Sequence, residues 1–279
     1  MKKVLWVLKQ YHYKMKKLSI ITINLNNKNG LIKTVQSVIS QTFKDFEWII
    51  VDGDSTDGSK DLLEKYIQYF THCISEKDNG IYNAMNKGIK LAQGEYIYFL
   101  NSGDYLCNKD TLKNVFNHSI TSDFINGNLI LSDCSINKRD FGIHSNYITC
   151  YDLFSGNLNH PSTFIKKDLF YKYGMYDENL KIAADWKFFF MTIILHNRSV
   201  TYINQDIAYF DKTGISSKAL DITRKERTEY LNTILPQKVI EDYKYLFHTN
   251  EIRKYRFSRI LYSLLYRMVT FYEKFKFKV

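Results

Sequence analysis

Proline is nearly missing from this chain: Pro161 and Pro236 are the two in 279 residues, which excludes a proline-rich linker. Cysteine is also sparse. Cys73, Cys107, Cys134 and Cys150 stand far apart with no CxxC pair, a pattern that excludes a zinc ribbon or a disulfide scaffold and fits buried free thiols in a reducing compartment. No uncharged apolar run approaches the roughly 18 residues a spanning helix needs. The amino-terminal MKKVLWVLKQ has a basic start, but its apolar core runs only from Val4 to Leu8, too short for a signal peptide. The chemistry is therefore expected to face the cytoplasm.

What is abundant is aromatic and basic. Tyr and Phe number 22 and 19, and the formal net charge is +10. That charge calls for an anionic partner: a phosphate-bearing substrate, anionic lipid or nucleic acid. Charge alone does not choose among them. A hydrophobic share of 45% over this length suffices to bury a full core.

The stretch 94–104, GEYIYFLNSGD, organises the chain. Its aromatic and aliphatic run predicts a buried strand ending near Leu100, which leaves Asn101, Ser102, Gly103 and Asp104 at the carboxyl end, where open α/β sheets place their ligands. Before it, LSIITINL (18–25) predicts a first strand. Leu31, Val35, Val38 and Ile39 recur at helical spacing over 31–40. A second strand is expected over 46–51, a helix with Leu62, Leu63, Tyr66 and Ile67 inward, a third strand over 72–75 and a helix over 81–92. Four alternations of strand and helix predict a parallel sheet with covering helices.

Beyond Asp104 the expected elements are a helix over 109–117, a strand over 124–131, a variable acceptor-facing segment over 132–158, a strand over 161–165, helices over 167–173 and 185–195, and a strand over 200–210. The resulting division is an extension (1–17), an α/β domain (18–217) and a basic helical region (218–279). Residues 251–279 hold eight Lys or Arg against two Glu. Phe257, Ile260, Leu261, Leu264, Leu265, Met268 and Tyr272 share one helical face there, which predicts an amphipathic helix suited to an anionic membrane surface, with packing on the catalytic domain or against a partner protein as the competing readings.

Asp52 and Asp54 follow one predicted strand and Asp104 another, and neighbouring strand ends in a parallel sheet converge on one crevice. Carboxylates so placed can hold ribose hydroxyls or a divalent ion beside a diphosphate. Turn chemistry alone also places Asp and Gly in such loops.

LSIITINLNN, FEWIIVDGDSTDGS and DNGIYNAMNKGIKLAQGEYIYFLNSGD together resemble the family 2 glycosyltransferases, inverting enzymes of the GT-A fold. The likeness is dense over 18–104 and sparser to about 217. It implies an α/β fold with a mostly parallel central sheet and flanking helices, acting on a nucleotide diphosphate sugar, a uridine diphosphate sugar first, with a saccharide or lipid-linked saccharide as acceptor. By that resemblance Asn24, Asn26, Asp52 and Asp54 lie where the family contacts the nucleotide. Asn86 and Gly88 match positions in the helix beside the donor, and Lys87 is placed to meet phosphate. The family's metal motif reads Asp, any residue, Asp; here Asn101 stands with Asp104, implying a site for Mn²⁺ or Mg²⁺ with a single retained carboxylate. His160 in NHPSTFI matches a family histidine that meets donor phosphate or acceptor. Asp185 in KIAADWKFFF matches the catalytic base, with Ala184 where Glu is usual, and Gly214 to Ser217 resembles the family's flexible segment. The QxxRW motif of processive synthases is absent, which implies transfer of one sugar per encounter. Two other readings compete: a nucleotide-sugar-binding protein without turnover, and a basic nucleic-acid-binding protein, the latter unsupported by any recognition motif.

Overall fold

The structure is a computed structural model and describes residues 16–117, 120–132, 137–140, 142–211, 219–254 and 263–268. Within it the chain divides into two compact units, Met1–Arg227 and Thr228–Val279. The sequence reading sets its division between domain and basic region at 217.

In the first unit, strand β1 (Leu18–Asn24) is buried along its whole length. It pairs in parallel with β2 (Phe46–Asp52) on one side and β4 (Tyr96–Phe99) on the other, with Leu18 opposite both Phe46 and Tyr96. A strand flanked by strands and covered on both faces has no polar side, so it reads as a continuous apolar run. Between them run α1 (Lys28–Ile39), α2 (Ser59–Lys65), the edge strand β3 (His72–Ser75) and α3 (Ile81–Leu91). Helix α1 is capped by the Asn27 side chain, which accepts the Gly30 N–H, and buries Leu31, Val35 and Val38. Helix α3 lies so close to the sheet that a Cβ at Gly88 would fall 2.5 Å from Ile21 Cγ2. That contact accounts for the glycine by packing.

The later elements are β5 (Tyr105–Leu106), α4 (Thr111–Phe116), β6 (Phe124–Ser132), β7 (Asn137–Asp140), α5 (Cys150–Ser155), β8 (Thr163–Lys166), α6 (Asp168–Tyr173), α7 (Ala184–Phe189) and β9 (Val200–Asp211). One sheet results, ordered β3-β2-β1-β4-β8-β6-β9-β5, with β7 paired to β6. The β3-β2-β1-β4 half is wholly parallel, while β8 runs antiparallel to both β4 and β6. The parallel α/β half with its covering helices agrees with the sequence reading, and the antiparallel strands come from the second half.

Several boundaries differ for physical reasons. The strand expected from Pro161 begins at Thr163, because His160–Ser162 form a 3₁₀ turn, and proline supplies no N–H to a ladder. The helix expected over 185–195 is α-helical to Phe189 and π-helical over Phe190–Leu195. Within the stretch expected to vary, Thr149 and Asp152 form a reciprocal capping box that starts α5.

Helix α8 (Leu220–Ile234) spans the boundary between the units, and α9 (Gln237–Lys254) belongs to the second. Of the basic carboxyl-terminal stripe, Leu264, Leu265 and Met268 are exposed. Phe257, Ile260, Leu261 and Tyr272, the GISS segment 214–217 and residues 1–15 lie outside the described residues.

Candidate active site

Parallel register sets Asn24 opposite Asp52 and Asp52 opposite Ser75, so three strand ends meet. Asp52 is fully buried at their centre. Asn24 Nδ2 donates to its Oδ1 at 2.7 Å, Ser55 donates its hydroxyl at 2.6 Å and its N–H at 3.0 Å, and Ser75 Oγ donates at 2.7 Å. Four donors fill the acceptor capacity of one carboxylate. Asp52 thus binds the floor of the site together, while Asn24 Oδ1 is buried with no hydrogen-bond partner. Asn26 has a left-handed φ of 50° and accepts the Thr56 N–H at 2.8 Å, and its own N–H reaches Ser55 Oγ at 2.8 Å. Asp54, also left-handed, forms a close ion pair with Lys60 at the rim.

A second group lies beyond β4. Thr34 of α1 holds the turn, donating to the Asp104 carbonyl at 2.7 Å and accepting the Gly103 N–H at 3.1 Å. Asp104 Oδ1 accepts the Asp211 N–H at 2.9 Å. Gly103 has φ 106°, and a Cβ on it would meet Asp211 Oδ2 at 2.9 Å, so glycine there admits a second carboxylate beside Asp104. Burial pushes the Asp104 carboxyl up to about 8; the Asp211 N–H opposes the rise and the Asp211 charge adds to it. Asn101 Oδ1 is buried without a partner. Hard oxygens from Asp104, Asp211 and Asn101 suit Mn²⁺ or Mg²⁺, and the unmatched Asn101 oxygen is the kind of atom such an ion satisfies. Among the described residues no three His, Cys, Asp or Glu side chains converge as a complete cation cage.

The third group surrounds Asp185 in the first turn of α7. The Tyr82 hydroxyl, from α3, lies 3.0 Å from Asp185 Oδ1 and makes a short contact with the Ile182 carbonyl. Burial first, then the Asp185 charge, raises the Tyr82 pKa well above its ordinary value, so the phenol keeps its proton. His160 is buried, stacks on Phe99 with centroids 4.8 Å apart, and shares a 2.9 Å hydrogen bond with the Tyr176 hydroxyl. Burial lowers its pKa, with the Asp185 charge opposing.

Two residues expected beside the donor are engaged by protein partners. Lys87 Nζ is engaged by Asp78 at 2.6 Å, Glu76 at 2.8 Å and the Lys77 carbonyl at 3.1 Å, so it braces the β3–α3 loop. Asn86 Nδ2 donates to the Tyr176 carbonyl and to Glu178, both at 2.8 Å, and Asn86 Oδ1 accepts the Tyr176 N–H. It clamps α3 to the segment that leads towards Asp185. The sequence reading missed Tyr82 and Asp211. Tyr82 lies inside the DNGIYNAMNKG motif, and Asp211 is the acid just past the end of the last predicted strand; those were the available signals.

Residues 19–189 match the sequence profile of Glycosyl transferase family 2. A PGL/p-HBAD biosynthesis glycosyltransferase of Mycobacterium tuberculosis is 31% identical over 173 residues, covering 61% of this chain and 67% of that protein. Among solved structures, Staphylococcus aureus TarS residues 1–349 in complex with UDP-GlcNAc superposes with a TM-score of 0.61 at 22% identity, over 85% of this chain and 72% of that one. The Pyrobaculum calidifontis mannosyltransferase PcManGT in complex with GDP-Man and Mn²⁺ gives 0.56 at 14% identity, over 79% and 64%. These two structural likenesses concern the fold.

Proposed function

The chain belongs to Glycosyl transferase family 2, and from that premise we propose that it is an inverting, non-processive glycosyltransferase that moves one sugar from a uridine diphosphate sugar to a hydroxyl of a saccharide or lipid-linked acceptor. The observation that carries this reading is the Tyr82–Asp185 contact, which ties a carboxylate of the second half to the motif-bearing helix of the first.

In this account Asp185 takes the acceptor hydroxyl's proton on a carboxylate oxygen. The freed oxygen forms a bond to the anomeric carbon while the bond from that carbon to the diphosphate oxygen breaks, which inverts the centre. Tyr82 orients Asp185 by donating to one of its oxygens, leaving the other for the proton. Asn24, Asn26 and Asp54 contact the nucleoside over the floor that Asp52 holds. Asp104, Asp211 and Asn101 would hold Mn²⁺ or Mg²⁺, which when bound supplies positive charge to the departing diphosphate. The basic stripe 251–279 brings the protein to an anionic membrane surface where a lipid-linked acceptor resides. Among the described residues no helix is long and apolar enough to cross a membrane.

The test is a panel of nucleotide diphosphate sugars scored by thermal shift with and without Mn²⁺ or Mg²⁺. Metal-dependent stabilisation by one uridine diphosphate sugar, lost in Asp104→Ala, supports the reading; stabilisation by none, or by polynucleotide instead, overturns it. Stabilisation with no turnover, unchanged by Asp185→Asn, would favour a binding protein.

A further inference from the structure

Asp185 sits near the start of a helix whose cap residue, Ala183, has no side-chain acceptor. The N–H groups before a helix lack partners within it. Here three of them converge on one carboxylate: Lys181 donates to Glu226 Oε1 at 2.7 Å, and Ile182 and Ala183 donate to Oε2 at 3.1 and 2.9 Å. Glu226 comes from α8 and is buried. It lies beyond residue 189, where the family match ends.

The peptide joining Ile182 to Ala183 is consequently held at both ends. Its N–H goes to Glu226, and its C=O accepts the hydroxyl of Tyr82, the group that also reaches Asp185. Glu226 therefore fixes the peptide whose carbonyl shares the Tyr82 hydroxyl with Asp185. The next residue packs on Trp186, the chain neighbour of Asp185. Arg227 donates Nη1–H to the Gly156 carbonyl at 3.1 Å, and its guanidinium carbon lies 4.9 Å from the Trp186 ring centre. Burial lowers the Arg227 pKa, with the Asp185 charge opposing that shift.

We propose that Glu226 and Arg227, adjacent on helix α8, are positioning residues for the Asp185 carboxylate, Glu226 by fixing the 181–183 backbone and Arg227 by bracing Trp186. This rests on the reading of Asp185 as the acceptor's base. A carboxylate from α8 thereby anchors the base segment of a chain that carries Ala184 beside its candidate base.

The experiment uses the full chain and has two independent readouts. Amide exchange at 181–183, followed in wild type and Glu226→Gln without ligand, reports the tether irrespective of any activity. Turnover of the stabilising uridine diphosphate sugar, with affinity for UDP plus Mn²⁺ as a control, reports the role. The proposal expects faster exchange confined to the 181–183 region, kcat lower by about tenfold or more with donor KM and UDP affinity within about twofold, partial recovery in Glu226→Asp, and a smaller kcat loss in Arg227→Met that Arg227→Lys repairs. Unchanged exchange overturns the tether. Faster exchange with kcat intact, or a loss of kcat matched by a loss of UDP affinity and melting temperature, overturns the positioning role. Absence of turnover in wild type defeats the transferase reading and this proposal with it; that outcome is recognised before any variant is compared.

Discussion

The Tyr82 hydroxyl lies 3.0 Å from Asp185 Oδ1, joining helix α3 to helix α7 across 103 positions of sequence. Tyr82 is buried, with its ring 5.5 Å from that of Tyr176, so the phenol has little freedom to point elsewhere. Tyr82→Phe keeps the ring and removes the donor. A hydrogen bond to a charged group is worth about 1.5–3 kcal/mol, so kcat should fall by roughly ten- to a hundredfold. Donor affinity should stay near wild type. Steady-state kinetics beside a UDP titration checks this.

Gly88→Ala tests the packing of α3 on the sheet. The new methyl would sit 2.5 Å from Ile21 Cγ2, and Ile21 is fully buried in the central strand β1. Overpacking of this kind costs about 1–3 kcal/mol. Denaturant unfolding should show a lower midpoint with an unchanged slope.

Asp104 predicts an opposite response to pH with and without metal. Its carboxyl is raised from 3.8 to about 8 by burial, so the folded protein holds a proton that the unfolded chain has released. Its contribution to stability is complete below the unfolded value of 3.8 and disappears as pH rises towards about 8. Metal-free wild type should lose stability over that window relative to Asp104→Asn. Apparent Mn²⁺ affinity should rise over the same window, because the ion displaces the proton, and calorimetry at several pH values follows both.

His160 carries the reverse sign. Burial lowers its pKa below 6.5, against the opposing Asp185 charge, so its contribution is present above 6.5 and is lost as pH falls through the folded value. His160→Phe can keep the stack on Phe99 but loses the bond to Tyr176. It should be less stable than wild type at neutral pH and show a shallower loss of stability on acidification.

The parallel half of the fold was legible because strands covered on both faces become unbroken apolar runs, as in Leu18–Asn24. Strand β5 was not, since two residues carry no periodicity and Tyr105 becomes a strand only by pairing with Tyr209. The π-helical stretch is equally silent in an apolar helical pattern. The strand pattern put Asn24, Asp52 and Asp104 at or beyond strand ends and Asp185 at a helix start, and the fold has them at those positions. What hid was every partner distant in sequence. Nothing in the order of residues says that Lys87 is engaged by Glu76 and Asp78, that Asn86 clamps Tyr176, or that Asp211 closes on Gly103.

The central claim is that Asp185 is the base of an inverting transfer, and the anomer of the sugar first released from the stabilising α-linked uridine diphosphate sugar tests it most directly. Proton NMR of fresh product, with wild type and Asp185→Asn compared at equal UDP occupancy, follows both rate and stereochemistry. The account predicts the β anomer first, at a rate that falls in Asp185→Asn by about a hundredfold or more. Release of the α anomer, or equal rates in the two proteins, would contradict it.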